Sequence, residues 1–144
     1  MLIEFSVKNF LSFKEKVTFS MEAAAGNENE NNIIIAENNR VLKTTALYGA
    51  NASGKTNFIK AFASAIMMVR KSSSRQVEEK LAEMMPFMFD EKNIIEPCEF
   101  EFVFIVNGNK YIYGFTATLD KVYEEYLYQY FSAKPTRIFE RTNP

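Results

Sequence analysis

The residues of this chain whose types and spacing could do chemistry form one short motif, Gly-Ala-Asn-Ala-Ser-Gly-Lys-Thr, at positions 49–56. The motif fits the pattern GxxxxGK followed by Ser or Thr, whose glycines let the backbone curl until successive N–H groups point at one anion. Lys55 adds a positive charge beside a β-phosphate, and Thr56 offers a hydroxyl to Mg²⁺, which prefers oxygen ligands. The motif therefore predicts a site for the phosphates of a nucleotide.

The predicted site residues follow from this motif. A helix that begins near Lys55 would aim its free N–H groups and the positive end of its dipole at the same phosphate. Lys55 is the predicted catalytic residue, and Thr56 is the predicted magnesium ligand. The residues predicted to contact the nucleotide here are Gly49, Asn51, Ala52, Ser53, Gly54, Lys55, Thr56 and Asn57.

The segments on both sides of the motif predict the strand and the helix that flank a phosphate-binding loop. Residues 41–48 are an apolar, β-branched run of strand length. After the motif, apolar residues recur at helical spacing, with alanines between them as helix formers. These apolar residues are Phe58, Ile59, Phe62, Ile66 and Val69. The order of strand, loop and helix favours a nucleotide site over the alternative, a glycine-rich turn before an ordinary helix.

Length and composition set the class of protein. The sequence has 144 residues, of which 47% are hydrophobic, so one domain spanning 1–144 is expected. The formal net charge of −1 predicts no overall basic surface for binding nucleic acid. With no histidine and one cysteine, histidine triads, histidine-ligated metals and cysteine clusters are excluded. The single Cys98, without a leader or a long apolar run, predicts a soluble cytoplasmic protein with no membrane contact.

The N-terminal part predicts strands around the motif. Residues 2–10 alternate apolar and polar side chains, and residues 17–21 continue as a second strand. The connection at 9–13 is predicted to form an edge of the nucleotide pocket. Residues 26–32 are polar and of low complexity, which predicts a mobile loop, and residues 33–35 predict a short strand.

The C-terminal part predicts a second helix and then an antiparallel meander. A capping box of Ser73 and Gln76 predicts a helix over 76–85, ended by Pro86. Asn107-Gly108 is a strong hairpin signal between two alternating runs. Four strands are predicted, over 98–106, 110–119, 122–131 and 136–141. The fold class is therefore α/β with α+β character, a mixed sheet with the phosphate loop in 1–71 and an aromatic meander in 98–141.

Two further patterns have alternative interpretations. Six of the tyrosines lie between Tyr111 and Tyr130, which would suit base stacking on single-stranded nucleic acid, although strand alternation alone accounts for their spacing. Residues 85–91, ending in Asp90-Glu91, superficially resemble the apolar strand and acidic pair that order magnesium in many ATPases. A proline and a run of methionine and phenylalanine favour instead a solvated turn.

Several segments together resemble a known family. Residues 2–13 and 42–57, and later 110–115, 124–128 and 138–141, are similar to bacterial "AAA family ATPase" proteins. Despite that label, these proteins have ABC-type heads related to the RecF, structural-maintenance-of-chromosomes and overcoming-lysogenization-defect ATPases. The resemblance implies the N-terminal lobe of a larger head, with a signature segment and an Asp-Glu strand supplied by sequence outside this chain. It implies ATP and Mg²⁺ as ligands, with Asn9 and Ser12 as further polar contacts.

The resemblance also implies partners and a role. Such heads dimerise around two ATP molecules and act as ATP-driven switches in DNA repair or anti-phage defence, with DNA or a nuclease or toxin effector as partner. An ATPase within a longer chain is therefore expected, and this segment alone is predicted to lack residues for hydrolysis. The alternatives are a small nucleotide kinase or GTPase that uses Asp90 for magnesium, and a non-catalytic interaction domain with an exposed edge strand.

Overall fold

The fold is one large antiparallel sheet with a helix on one face and a short hairpin on the other. A computed structural model describes residues 1–26, 29–36, 39–76, 78–131 and 134–142. The elements in chain order are β1 Leu2–Lys8, β2 Val17–Ser20, β3 Ile33–Ala36, β4 Asn39–Leu42, α1 Lys55–Lys71, α2 Glu91–Ile95, β5 Cys98–Val106, β6 Asn109–Ala117, β7 Val122–Tyr130 and β8 Pro135–Thr142. None of the described helices is long and apolar enough to cross a membrane.

The six-stranded sheet has the order β2-β1-β5-β6-β7-β8, and β3 pairs with β4 in a separate hairpin. The predicted meander is confirmed, because β5 to β8 follow one another as antiparallel neighbours. At the predicted hairpin, Asn107 and Gly108 have φ values of 48° and 78°, the left-handed pair that a type I′ turn requires. The strands predicted over 2–10, 17–21 and 33–35 are also confirmed, the first two with slightly shorter bounds and the third one residue longer.

Alternation along the strands places an apolar core on each face of the sheet. On the helix face, Phe5 of β1 and Phe100 of β5 pack with Ala61 and Ala65 of α1. On the opposite face, Val103 and Ile105 of β5 pack with Val41 of β4. The helix that follows the glycine motif is therefore fixed to the centre of the sheet.

The buried face of α1 differs from the predicted stripe. Ala61, Ala65 and Met68 are buried, whereas Ile59 is 60% exposed. Phe58 and Phe62 do pack on the core. Small alanines at the contact let the helix approach the phenylalanine-rich sheet closely, so the larger β-branched side chains point outward.

The helix predicted over 76–85 is wrong. Across 76 and 78–85 the described backbone forms turns, while Val77 lies outside the described residues. An ion pair replaces the helix as the organising contact, since Arg75 Nη2 lies 2.6 Å from Glu83 Oε2 with both side chains 9% exposed. Burial raises the pKa of Glu83, but bonds from Arg75, the backbone and Lys71 bring it below its ordinary value. This cluster ties the end of α1 to the turns that follow.

The strand predicted over 41–48 is correct only at its start. β4 ends at Leu42, and residues 44–49 run without a ladder partner. Every strand pair that the structure describes is antiparallel. The prediction of a mixed sheet is therefore wrong for the described residues. Asn27 and Glu28 of the predicted loop at 26–32 lie outside the described residues, and Glu30–Asn32 forms a single 3-10 turn.

Two half-buried tyrosines of the meander donate their hydroxyls to glutamates. Tyr113 bonds Glu125 Oε1 at 2.8 Å, and Tyr126 bonds Glu101 Oε2 at 2.7 Å. Burial, followed by these carboxylates, raises the pKa of both tyrosines above the ordinary value. Carboxylates at these positions favour cross-strand packing over a platform for anionic nucleic acid.

Gly114 gives a first test of this packing. It lies opposite Tyr126 in the sheet, and a Cβ at position 114 would overlap the tyrosine ring. We expect Gly114→Ala to lower the free energy of unfolding by about 1–3 kcal/mol, because the ring must leave its place and its bond to Glu101. Urea unfolding measures this change. In a Tyr126→Ala background, Gly114→Ala should leave the free energy of unfolding almost unchanged. An equally large decrease in that background would contradict the proposed overlap.

Candidate functional site

The glycine motif forms a tight loop that opens onto the first turn of α1. Ala52 and Gly54 have left-handed φ values of 62° and 92°, which reverse the chain just before the helix. A Cβ at Gly49 would lie 2.9 Å from Ser53 Oγ, so a larger residue there would require this hydroxyl to turn away. The amide of Phe58 bonds the carbonyl of Gly54 at 2.9 Å, and the amides before it belong to the unpaired first turn.

Lys55 places its positive charge inside this loop. Its ammonium donates to the carbonyl oxygens of Gly49 at 2.8 Å and Ala50 at 2.6 Å, and lies 3.4 Å from Ser53 Oγ. The side chain therefore folds back across the loop. An ammonium and a helix N-terminus that face the same space form an anion-binding arrangement.

The loop encloses a cavity of about 270 Å³. It is lined by Ala52, Ser53, Gly54, Lys55, Thr56 and Asn57. These six are among the predicted phosphate contacts, and the structure brings them together at one opening. Gly49 and Asn51 do not line the cavity: the carbonyl of Gly49 accepts a bond from Lys55, and Asn51 is exposed.

A second turn packs against the loop and brings Ser12 to it. Phe10 and Phe13 exchange backbone hydrogen bonds at 2.9 and 2.8 Å. At the tip of this turn, Asn57 Nδ2 donates to Ser12 Oγ at 3.0 Å. A Cβ at Gly54 would lie 3.3 Å from the same oxygen and 3.6 Å from Phe13 Cζ. Ser12 is therefore beside the loop, and Phe13 is a neighbour that the sequence did not single out.

Asn9 lies at the base of this turn and is 1% exposed. Its Nδ2 donates to the carbonyls of Asn93 at 2.8 Å and Glu96 at 2.9 Å, and its Oδ1 accepts from the amide of Phe87 at 3.1 Å. A direct contact of Asn9 with nucleotide stays a prediction. In this arrangement the polar atoms of its side chain are already bonded within the protein.

Both carboxylate oxygens of Asp90 bond groups of the protein rather than facing an open metal site. Its Oδ2 lies 2.6 Å from Lys14 Nζ, and its Oδ1 caps α2 by accepting from the amide of Lys92 at 3.0 Å. The bond to Lys14 and then the cap hold the pKa of Asp90 below its ordinary value. The residues before it, 85–89, form no strand. Asp90 therefore ends a turn and starts a short helix.

A loop that folds its own lysine inward and opens onto a helix N-terminus defines a nucleotide-binding, ATPase-like domain of the phosphate-loop class. The chain belongs to the family described as "AAA domain, putative AbiEii toxin, Type IV TA system", whose model matches residues 44–143. The match includes the loop, α1 and the meander β5 to β8. No curated protein matches the chain.

Proposed function

We propose that the chain binds Mg²⁺-ATP through the loop at 49–57. The observation that carries this proposal is the position of Lys55, whose ammonium lies within hydrogen-bond distance of the Gly49 and Ala50 carbonyls on the inner side of the loop. A phosphate in the adjoining cavity would meet this charge together with the unpaired amides of the first turn of α1.

The residues present fit such a ligand. Glycine at position 54 combines a left-handed backbone with a close approach to Ser12 and Phe13, which a larger side chain at this position would disturb. Lys55 would hold a phosphate oxygen, and the Thr56 hydroxyl would hold Mg²⁺. An ion held there would supply positive charge to offset that of the phosphates. Ser12, bonded to Asn57, would border the bound nucleotide.

The biological role proposed is that of an ATP-driven switch. The sequence resemblance implies a role in DNA repair or anti-phage defence. The family description itself names a putative AbiEii toxin and a Type IV TA system. We include in this proposal an ABC-type head that dimerises through the nucleotide. Leu47 and Tyr48, 45% and 90% exposed beside the loop, would be available for contact with a second head.

Nucleotide titration tests the proposal. A fluorescent ATP analogue is titrated into the chain with Mg²⁺ and again with excess EDTA, and unlabelled ATP and GTP then compete for the site. We expect saturable binding that ATP displaces more effectively than GTP and that weakens without Mg²⁺. GTP preference would favour the GTPase alternative, and absence of binding to the wild-type chain would refute a nucleotide site.

A further inference from the structure

We propose that Asn9 is the positioning residue of the nucleotide site, acting through the Phe10–Phe13 turn rather than by touching the ligand. The proposal rests on nucleotide binding at the 49–57 loop. It assigns to Asn9 the task of holding Ser12 and Phe13 against Gly54 before any nucleotide arrives.

The side chain of Asn9 bonds one segment several times. Besides the bonds to Asn93, Glu96 and Phe87, its Nδ2 lies 3.2 Å from the carbonyl of Pro97. The side chain of Asn93 donates to Asn9 Oδ1 at 3.1 Å. The segment 87–97 contains one short helix, so these bonds to a single buried amide fix much of its path.

The backbone of Asn9 starts the turn. Its φ of 52° is left-handed, a conformation that asparagine tolerates better than most residues. Its amide bonds the carbonyl of Lys14 at 3.3 Å, and the next residue but one, Leu11, donates to the carbonyl of Met85 at 2.8 Å. Leu11 is also left-handed, at 48°, although a branched side chain disfavours that region. Such a backbone persists only when its surroundings hold it.

The tip of the Phe10–Phe13 turn contacts the loop at 49–57. Ser12 is three residues from Asn9, and its Oγ accepts from Asn57 in the first turn of α1. The ring of Phe13 flanks Gly54, the residue that ends the loop. A continuous set of bonds therefore runs from the buried amide of Asn9 through the turn to the mouth of the site.

Loss of the side-chain amide of Asn9 would break these hydrogen bonds. Three carbonyls and one amide of the 87–97 segment would lose a buried partner, and the left-handed turn would lose its base. The turn would then have to be ordered when nucleotide binds, and that cost would be subtracted from the affinity.

The test compares Asn9→Ala with Asn93→Ala in the full chain. Asn93 is buried in the same cluster, but loss of its side chain leaves the contacts of Asn9 Nδ2 with three backbone carbonyls and the bond from Phe87. We expect both variants to melt at a lower temperature, while only Asn9→Ala weakens the affinity for fluorescent ATP, by about fivefold or more. Wild-type affinity in folded Asn9→Ala, or an equal loss in Asn93→Ala, would overturn the positioning role.

If Asn9→Ala does not fold, hydrogen exchange on the wild-type chain tests the positioning role of Asn9. Because coupling is reciprocal, ATP should slow exchange at the amides of Leu11 and Phe87, which lie on the route but outside the loop. The amide of Leu81, bonded to the carbonyl of Leu119, is the control and should not change. Protection confined to the phosphate loop would refute the proposal, whereas a wild-type chain that binds no ATP would refute the nucleotide site itself.

Discussion

Replacing Lys55 with alanine is expected to weaken Mg²⁺-ATP binding roughly 10- to 100-fold, since a hydrogen bond to a charged group contributes about 1.5–3 kcal/mol. The wild-type ammonium lies 2.8 and 2.6 Å from two loop carbonyls. Without it, those carbonyl dipoles would face the phosphate directly. The measurement is the dissociation constant of a fluorescent ATP analogue at fixed ionic strength.

Lys60→Ala is the matched control for this prediction. Lys60 is exposed on the same helix, and its loss changes the net charge by the same amount. We expect its affinity for ATP to stay within twofold of wild type, roughly the scatter of a screened surface charge. Equal losses in the two variants would indicate a non-specific charge effect, and unchanged affinity in Lys55→Ala would contradict the site.

Phe5→Ala is expected to have the largest effect on stability, lowering the free energy of unfolding by about 3–5 kcal/mol. Phe5 is fully buried in β1, with ring centroids 5.0 Å from Phe62 of α1 and 4.9 Å from Phe102 of β5. Its ring therefore joins the helix to the sheet, and its loss leaves a cavity between them. Urea unfolding should show a lower midpoint with an unchanged slope.

Phe89→Ala serves as the comparison for Phe5. Phe89 is 90% exposed and touches Phe87 edge-on, so its removal opens no cavity. The expected change is within about 0.5 kcal/mol. If the two phenylalanine variants unfold at the same urea concentration, the described core does not account for stability.

The meander could be predicted because its information is local. Alternating aromatic residues define the buried face of each strand, and Asn107-Gly108 supplies the two left-handed residues of the turn. The tight loop at 49–56 could be predicted for the same reason, since glycine spacing determines its shape within eight residues, whereas a phosphate in it stays a prediction. Neither depends on what lies far away in the chain.

The failures occurred where distant contacts decide the local structure. Residues 44–48 have strand propensity, but among the described residues no strand pairs with them, and the side chain of Asn32 bonds both the amide and the carbonyl of Thr44. The capping box at Ser73 favours a helix, but the Arg75–Glu83 pair and the bond from Leu81 to Leu119 hold turns instead. Tertiary contacts of this kind override local propensity.

The position of Ser12 illustrates the same limit at the site. Sequence resemblance indicated the turn, but not the bond to Asn57 or the burial of Asn9. Left-handed Leu11 has no signal in the sequence, because leucine rarely adopts that backbone. Bonds between residues more than forty positions apart determine this part of the site, and spacing rules do not report such bonds.

The burial of Cys98 makes the molecule convenient for labelling. The sequence contains one cysteine, its side chain is fully buried, and burial raises its pKa to about 12 despite a backbone bond from Met85. Fewer than about one such thiol in ten thousand is ionised at neutral pH, so alkylating dyes should leave it unmodified. In Ser53→Cys, whose position is exposed, the new thiol would then be the reactive one, and no native cysteine would have to be removed before a dye is attached.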